Sequence, residues 1–204
     1  MQNAAFWDRM APKYAKDPIS DQAAYETTLG RMRHYLQPDH HVVELGCGTG
    51  STALALAPGV QSYLGTDVSS GMIDIARRKL QPDGPEKLKF EVAAAAELPP
   101  GPVDAVLALN LLHLLPDLPQ VLRNIASALP KDGLLITKTA LLKEGPWYLG
   151  VMIPVMQVFG KAPYVLRLSQ SELLSAIEEA GFDEVETILQ QGTAPRLFTV
   201  HRKR

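Results

Sequence analysis

The chain has 204 residues, of which 46% are apolar, 21% charged and 6% aromatic; this balance is that of a folded globular protein and excludes a disordered or fibrous chain. Twenty lysines and arginines against 22 acids leave a net charge of −2, so no overall positive field draws nucleic acid. The single cysteine excludes an intrachain disulfide and an all-cysteine zinc site.

In chain order, residues 1–20 are rich in turn formers and aromatics (Phe6, Trp7, Pro12, Tyr14, Pro18). They lack the basic-then-apolar plan of a signal peptide, and a cytoplasmic location is expected. Ser20 is a suitable N-cap for a helix in which Tyr25, Leu29, Met32 and Leu36 recur at helical spacing, and Pro38 stops it. Residues 41–45 predict a short buried strand, and a glycine-rich turn leads into a helix over 49–57 closed by Pro58 and Gly59.

A second strand follows over 62–66, then a helix capped by Ser69 that runs to Leu80, a turn over 82–85 and a third strand over 88–92. A rigid proline loop at 99–102 precedes a fourth strand over 103–109, apolar on both faces. A helix over 118–129 ends at Pro130 and Gly133, and a fifth strand covers 134–138. Residues 145–167 break this rhythm with an apolar, proline-interrupted stretch. Ser169 with Glu172 forms a capping box for a helix to Ala180, closed by Gly181. Residues 183–189 and 196–201 read as a final strand pair, and His201-Arg202-Lys203-Arg204 as a solvated tail. Strands alternating with helices at this spacing imply an α/β fold with a mostly parallel sheet and helices on both faces. We expect one domain over 1–204, with 1–36 as an N-terminal lid and 145–168 as an apolar cap.

The strongest chemical signal is Val43-Glu44-Leu45-Gly46-Cys47-Gly48-Thr49-Gly50, where the first strand turns into a helix. In open α/β sheets, ligands bind at the carboxyl ends of the strands. A dinucleotide loop of the G-x-G-x-x-G type wants glycine at position 51, which here is Ser51. An NAD-dependent oxidoreductase is therefore disfavoured. Glu44 beside the loop suits a cationic ligand better than a pyrophosphate. Asp67, at the end of the second strand, is placed to accept hydrogen bonds from two ribose hydroxyls and to repel a 2′-phosphate.

Glu44-x-Gly46-x-Gly48-x-Gly50 with Gly65-Thr66-Asp67-Val68-Ser69 and Met72 resembles the class I S-adenosylmethionine-dependent methyltransferases. The small-molecule, quinone-biosynthesis-like branch is most similar. The resemblance spans about residues 6–200 and is strongest over 41–140. It implies a Rossmann-like, seven-stranded sheet whose last strand is antiparallel, and S-adenosylmethionine as cofactor. It further implies that Gly46, Cys47 and Gly48 pass the methionine moiety and that Glu44 helps hold its ammonium. Asp67 would bind the ribose, and Val68 and Met72 would flank the adenine. Asn110 would lie at the methionine end, and Trp7-Asp8-Arg9-Met10-Ala11-x-x-Tyr14 would fold over the cofactor with Tyr14 near the sulfonium.

One departure is that Ala94 stands where the family often has an acid for the adenine amino group, which leaves backbone near Ala95 and Ala96 to hold the base. Tyr14 and His113 are the catalytic candidates, His113 as a general base. Cys47 itself reads as buried filler. His34, His40 and His41 read as helix-end and loop residues, and no metal site is expected. The apolar stretch with Trp147, Met152 and Phe159 predicts a small hydrophobic acceptor, quinone-like or lipid-like, with no nucleic-acid partner. A non-catalytic cofactor-binding module that assists a partner is the alternative outside enzymology.

Overall fold

The fold was taken from a computed structural model that describes residues 4–17, 21–80, 87–192 and 194–204. Seven strands follow the order β3-β2-β1-β4-β5-β7-β6. The chain divides into two units, residues 1–107 and 108–204, with the boundary inside β4 (Ala105–Leu109).

The first unit holds α1 (Ala4–Tyr14), α2 (Gln22–Tyr35), β1 (His41–Leu45), α3 (Ser51–Leu56), β2 (Ser62–Asp67), α4 (Ser70–Arg78) and β3 (Leu88–Val92). β1 pairs with β2 and β2 with β3, both parallel, and the registers set Leu45 beside Thr66 and Asp67 beside Val92. The glycine turn and Asp67 therefore leave the sheet at the same edge. Val42, Val43 and Leu45 of β1 are buried, as a strand covered on both faces requires. α4 buries Met72, Ile73 and Ala76 along one face, and Arg77 and Arg78 in its last turn complement the helix dipole. Arg77 also donates from Nε and a terminal nitrogen to the carbonyl of Phe90, at 3.0 and 2.8 Å, tying α4 to β3.

The second unit holds α5 (Leu118–Ala128), β5 (Leu134–Ala140), α6 (Leu149–Val158), α7 (Gln170–Glu179), β6 (Phe182–Gln190) and β7 (Arg196–Lys203). β7 runs antiparallel to both β5 and β6. α5 buries Leu118, Val121, Leu122 and Ile125 at helical spacing, and Asp117 caps it by accepting from the N–H of Gln120 at 3.2 Å. The capping box at Ser169 and Glu172 is present.

Some expectations shift. Residues 4–14 form a helix rather than turns; Pro12 sits in its last turn, where only one intrahelical bond is lost. Ser20 lies outside the described residues, and Asp21 caps α2 by accepting from the N–H of Ala24 at 2.9 Å. The turn over 82–85 also lies outside them. The basic tail continues β7 as far as Lys203: His201 is buried, whereas Arg202 and Arg204 are exposed and lie 3.9 Å from Asp132 and 3.4 Å from Asp183. No described helix is long and apolar enough to cross a membrane.

Candidate functional site

β1 ends at Leu45, and residues 46–50 turn the chain into α3. Three glycines of the turn hold left-handed backbone: Gly46 at φ 66°, Gly48 at 55° and Gly50 at 76°. Such backbone disfavours any residue with a Cβ, by ~1–2 kcal/mol. What a Cβ would meet differs between them. At Gly50 it would lie 2.6 Å from Cζ of Phe90, so this glycine serves packing. At Gly48 the nearest atom is Cε1 of Tyr14, 3.9 Å away. Gly48 thus faces open room between the loop and Tyr14, which is what close passage of a ligand needs.

Asp67 closes the other side of this turn. Its Oδ2 accepts from the N–H of Gly48 at 2.9 Å, and its Oδ1 accepts from the N–H of Ser69 at 2.9 Å. Partial burial raises its pKa, against these two backbone bonds that lower it. Each carboxylate oxygen keeps a lone pair, so two further donors, such as a pair of vicinal hydroxyls, fit this set. The loop after β3 is held to the same strand end: the N–H of Ala93 donates to the carbonyl of Asp67 at 3.0 Å. Ala94 and Ala95 follow at once, in a turn closed by the N–H of Glu97 on the carbonyl of Ala94 at 2.9 Å. Val68 is half-buried, whereas Met72 is only 2% exposed and packs on the inner face of α4.

Glu44 does not stand open at the loop. It is 2% exposed, and its Oε2 accepts from the hydroxyl of Tyr63 at 3.0 Å. Burial pushes its pKa up to about 8, with Asp67 adding in the same direction. Cys47 is buried too, and burial raises its thiol well above the ordinary range, so it is a packing group rather than a nucleophile.

Tyr14 is half-exposed on α1, and its ring meets Trp7 edge-on at 6.5 Å. The first unit therefore brings together Tyr14, Gly46, Gly48, Asp67, Val68 and Ala95, with Glu44, Cys47 and Met72 packed beneath. Asn110 and His113 stand in the second unit. Asn110 follows β4 with φ 54°, a left-handed strain that a non-glycine residue carries mainly at special sites. His113 lies in a short 3-10 turn, Leu112–Leu114. Its Nδ1 is buried without a hydrogen-bond partner, and burial, then Arg196, pushes its pKa down to about 4. It is neutral at pH 7 but a weak base.

Among the described residues no three His, Cys, Asp or Glu side chains gather in a way that would hold a metal. His40 Nδ1 accepts from the N–H of Gln37, and His41 Nδ1 shares a 2.7 Å bond with Ser62 Oγ. Three further residues shape the site through contacts that their motifs did not reveal. Gly65 is required by Phe90, whose Cδ1 would lie 2.8 Å from a Cβ there. Lys79 Nζ donates to the carbonyl and hydroxyl of Thr49 at 2.8 and 2.9 Å, pinning the far end of the loop. Asp8, on α1, reaches Ser69.

The family described as "Methyltransferase domain" matches residues 42–133, the stretch that contains the loop, Asp67 and Asn110. An uncharacterized methyltransferase of Bacillus subtilis, YcgJ, is 30% identical over 110 residues. The match covers 53% of this chain and 44% of that protein, so the chain spans less than half of that relative's own length. Among solved structures, magnesium protoporphyrin IX methyltransferase of Synechocystis with bound SAH has a TM-score of 0.71 at 18% identity, covering 98% of this chain and 94% of that one. The cyclase SpnF reaches 0.78 at 20% identity, covering 99% and 96%. These likenesses show the fold.

Proposed function

We propose, from the match of residues 42–133 to a methyltransferase domain family, that the chain is a class I S-adenosylmethionine-dependent methyltransferase that transfers the methyl group to a small, largely apolar acceptor. The observation that carries this reading is the joint use of Asp67 by Gly48 and Ser69. It sets a ribose acceptor and an open glycine turn side by side at the end of β2.

When bound, S-adenosylmethionine supplies a methyl carbon already activated by positive sulfur. The chain's own residues then bind, orient and exclude water. Asp67 holds two hydroxyls through its remaining lone pairs. Gly46 and Gly48 let the backbone pass the ligand. Tyr14 covers the turn, and Ala95 offers backbone where Ala94 leaves no acid for the base. His113, neutral with Nδ1 unpartnered, is the group that would take a proton from an acceptor that carries one.

The acceptor reading rests on α6. None of its ten residues is buried, so it is not core of its unit. Trp147, Val158 and Phe159 are 81%, 84% and 72% exposed. An apolar surface of this extent marks contact with an apolar molecule. The second reading, a binding module without turnover, draws on Ala94 and on the weak basicity of His113. Incubation with labelled S-adenosylmethionine and a panel of apolar and charged acceptors tests both. Label moving to an apolar acceptor, with S-adenosylhomocysteine formed, supports transfer. Tight cofactor binding with no turnover of any acceptor supports the module.

A further inference from the structure

Asp8 has no role assigned to it within the Trp7-to-Tyr14 segment, yet it makes two hydrogen bonds that join α1 to the site. Its Oδ1 accepts from the hydroxyl of Ser69 at 2.6 Å and from the N–H of Gly71 at 3.0 Å. Ser69 is fully buried and caps α4, its Oγ accepting from the N–H of Met72 at 3.1 Å. The N–H of the same Ser69 donates to Asp67, and Asp67 accepts from Gly48. An unbroken hydrogen-bonded path therefore runs from α1 through Asp8, Ser69 and Asp67 to the glycine turn.

Packing repeats the same connection. A Cβ on Gly71 would stand 3.4 Å from Asp8 Oδ1 and 3.5 Å from Cβ of Ala11. Ala11 is fully buried. Small residues thus let α1 sit close on the first turn of α4. The carboxylate of Asp8 at that turn also suits the positive end of the α4 dipole. The Ser69 hydroxyl, and then the Gly71 N–H, hold the Asp8 carboxyl below its ordinary range, so it is ionised at neutral pH. Six residues along α1 from Asp8, the ring of Tyr14 reaches the open side of Gly48.

We propose that Asp8 is the latch that clamps α1 over the glycine turn: a positioning residue, acting through Ser69 and Tyr14, that sets how long the cofactor stays bound. This rests on the cofactor reading given under Proposed function. The latch holds α1 with two charge-assisted bonds, and α1 carries Tyr14, whose ring faces Gly48. Losing the latch frees α1 and opens the route by which ligand leaves, while the sheet is untouched.

The test uses the full chain with S-adenosylhomocysteine as probe. Release is followed by stopped-flow competition, and the accessibility of α1 by trypsin cleavage at Arg9 and Lys13 without ligand. Asp8→Ala should speed release about tenfold or more, quicken cleavage at both sites, and leave the melting temperature near that of the parent. Asp8→Asn keeps an acceptor oxygen and should fall between parent and Asp8→Ala, which a merely space-filling role would not produce. Gly71→Val, which crowds Asp8 and Ala11 and so wedges α1 from α4 while leaving the Asp8 carboxylate in place, should also speed release and cleavage. Parent-like release and parent-like cleavage in Asp8→Ala would overturn the latch while leaving the cofactor reading intact. A parent chain that binds no S-adenosylhomocysteine would overturn the cofactor reading, and the latch with it.

Discussion

The backbone N–H of Gly48 donates to Oδ2 of Asp67 across 2.9 Å, a bond between residues 19 positions apart in sequence. It ties the two strongest sequence signals into one object. The glycine turn is shaped by the same carboxylate that we propose holds the ribose. Asp67→Ala should therefore weaken cofactor binding at least tenfold, since bonds to a charged acceptor are worth ~1.5–3 kcal/mol each. Calorimetric titration checks this, with Asp67→Asn expected to lose less. Unchanged affinity in the alanine variant counts against the assignment.

The turn glycines should separate by phenotype. Gly50→Ala drives a Cβ into the Phe90 ring, and Gly65→Ala meets Phe90 and the sulfur of Cys47 at 3.0 Å. Both should lower stability by ~2–4 kcal/mol through overpacking and, at Gly50, left-handed strain. Gly48→Val meets no such clash; it carries only left-handed strain at φ 55°, about 1–2 kcal/mol, and should beyond that lose cofactor-induced stabilisation. Thermal melts with and without ligand read both effects; a Gly48 variant stabilised as much as the parent would sink its role.

Glu44 predicts a pH dependence. Its folded pKa, near 8, lies above the ordinary 4.5. The folded chain therefore keeps a proton that the unfolded chain releases, and this group's contribution falls as pH rises from about 4.5 to about 8. His113 and His201, both held near 4 by burial, act in the opposite sense between about 4 and 6.5. Comparing parent with Glu44→Gln isolates the first effect. The variant should match the parent near pH 5 and exceed it by ~2–4 kcal/mol near pH 9. Parallel denaturation curves at both pH values would contradict a buried, protonated Glu44.

The apolar helix α6 gives a test of acceptor class. Met152 is 43% and Phe159 72% exposed, so Met152→Asp and Phe159→Asp should cost less than about 1 kcal/mol of stability. Both should cut turnover of an apolar acceptor and leave cofactor affinity unchanged. Undiminished turnover of a charged acceptor in both variants would refute the hydrophobic-acceptor reading.

Much of this was legible from the sequence because periodicity and turn chemistry act locally. Residues 88–92 form a strand as expected, and Ser169 with Glu172 forms its capping box. The glycine turn and Asp67 were readable because each sits at a strand end, where backbone conformation and ligand access restrict residue type. α1 was missed because Pro12 and the aromatics mimic a turn, while its docking depends on Asp8 and Gly71, 63 residues apart. Glu44 was expected to face a ligand, yet its side chain is set by Tyr63 on the neighbouring strand, a pairing no local pattern displays. Gly65 was read as part of the Asp67 motif, but its packing role, like that of Lys79, exists only once Phe90 and Thr49 are brought alongside.

The central claim is that this chain binds S-adenosylmethionine at the turn joined to Asp67. The most direct measurement is calorimetric titration of the parent and of Asp67→Ala with S-adenosylmethionine, alongside NAD. The account predicts saturable binding of about one S-adenosylmethionine per chain, weakened at least tenfold in the variant, and no saturable binding of NAD. No binding of S-adenosylmethionine by the folded parent, or equal binding by both chains, would contradict it.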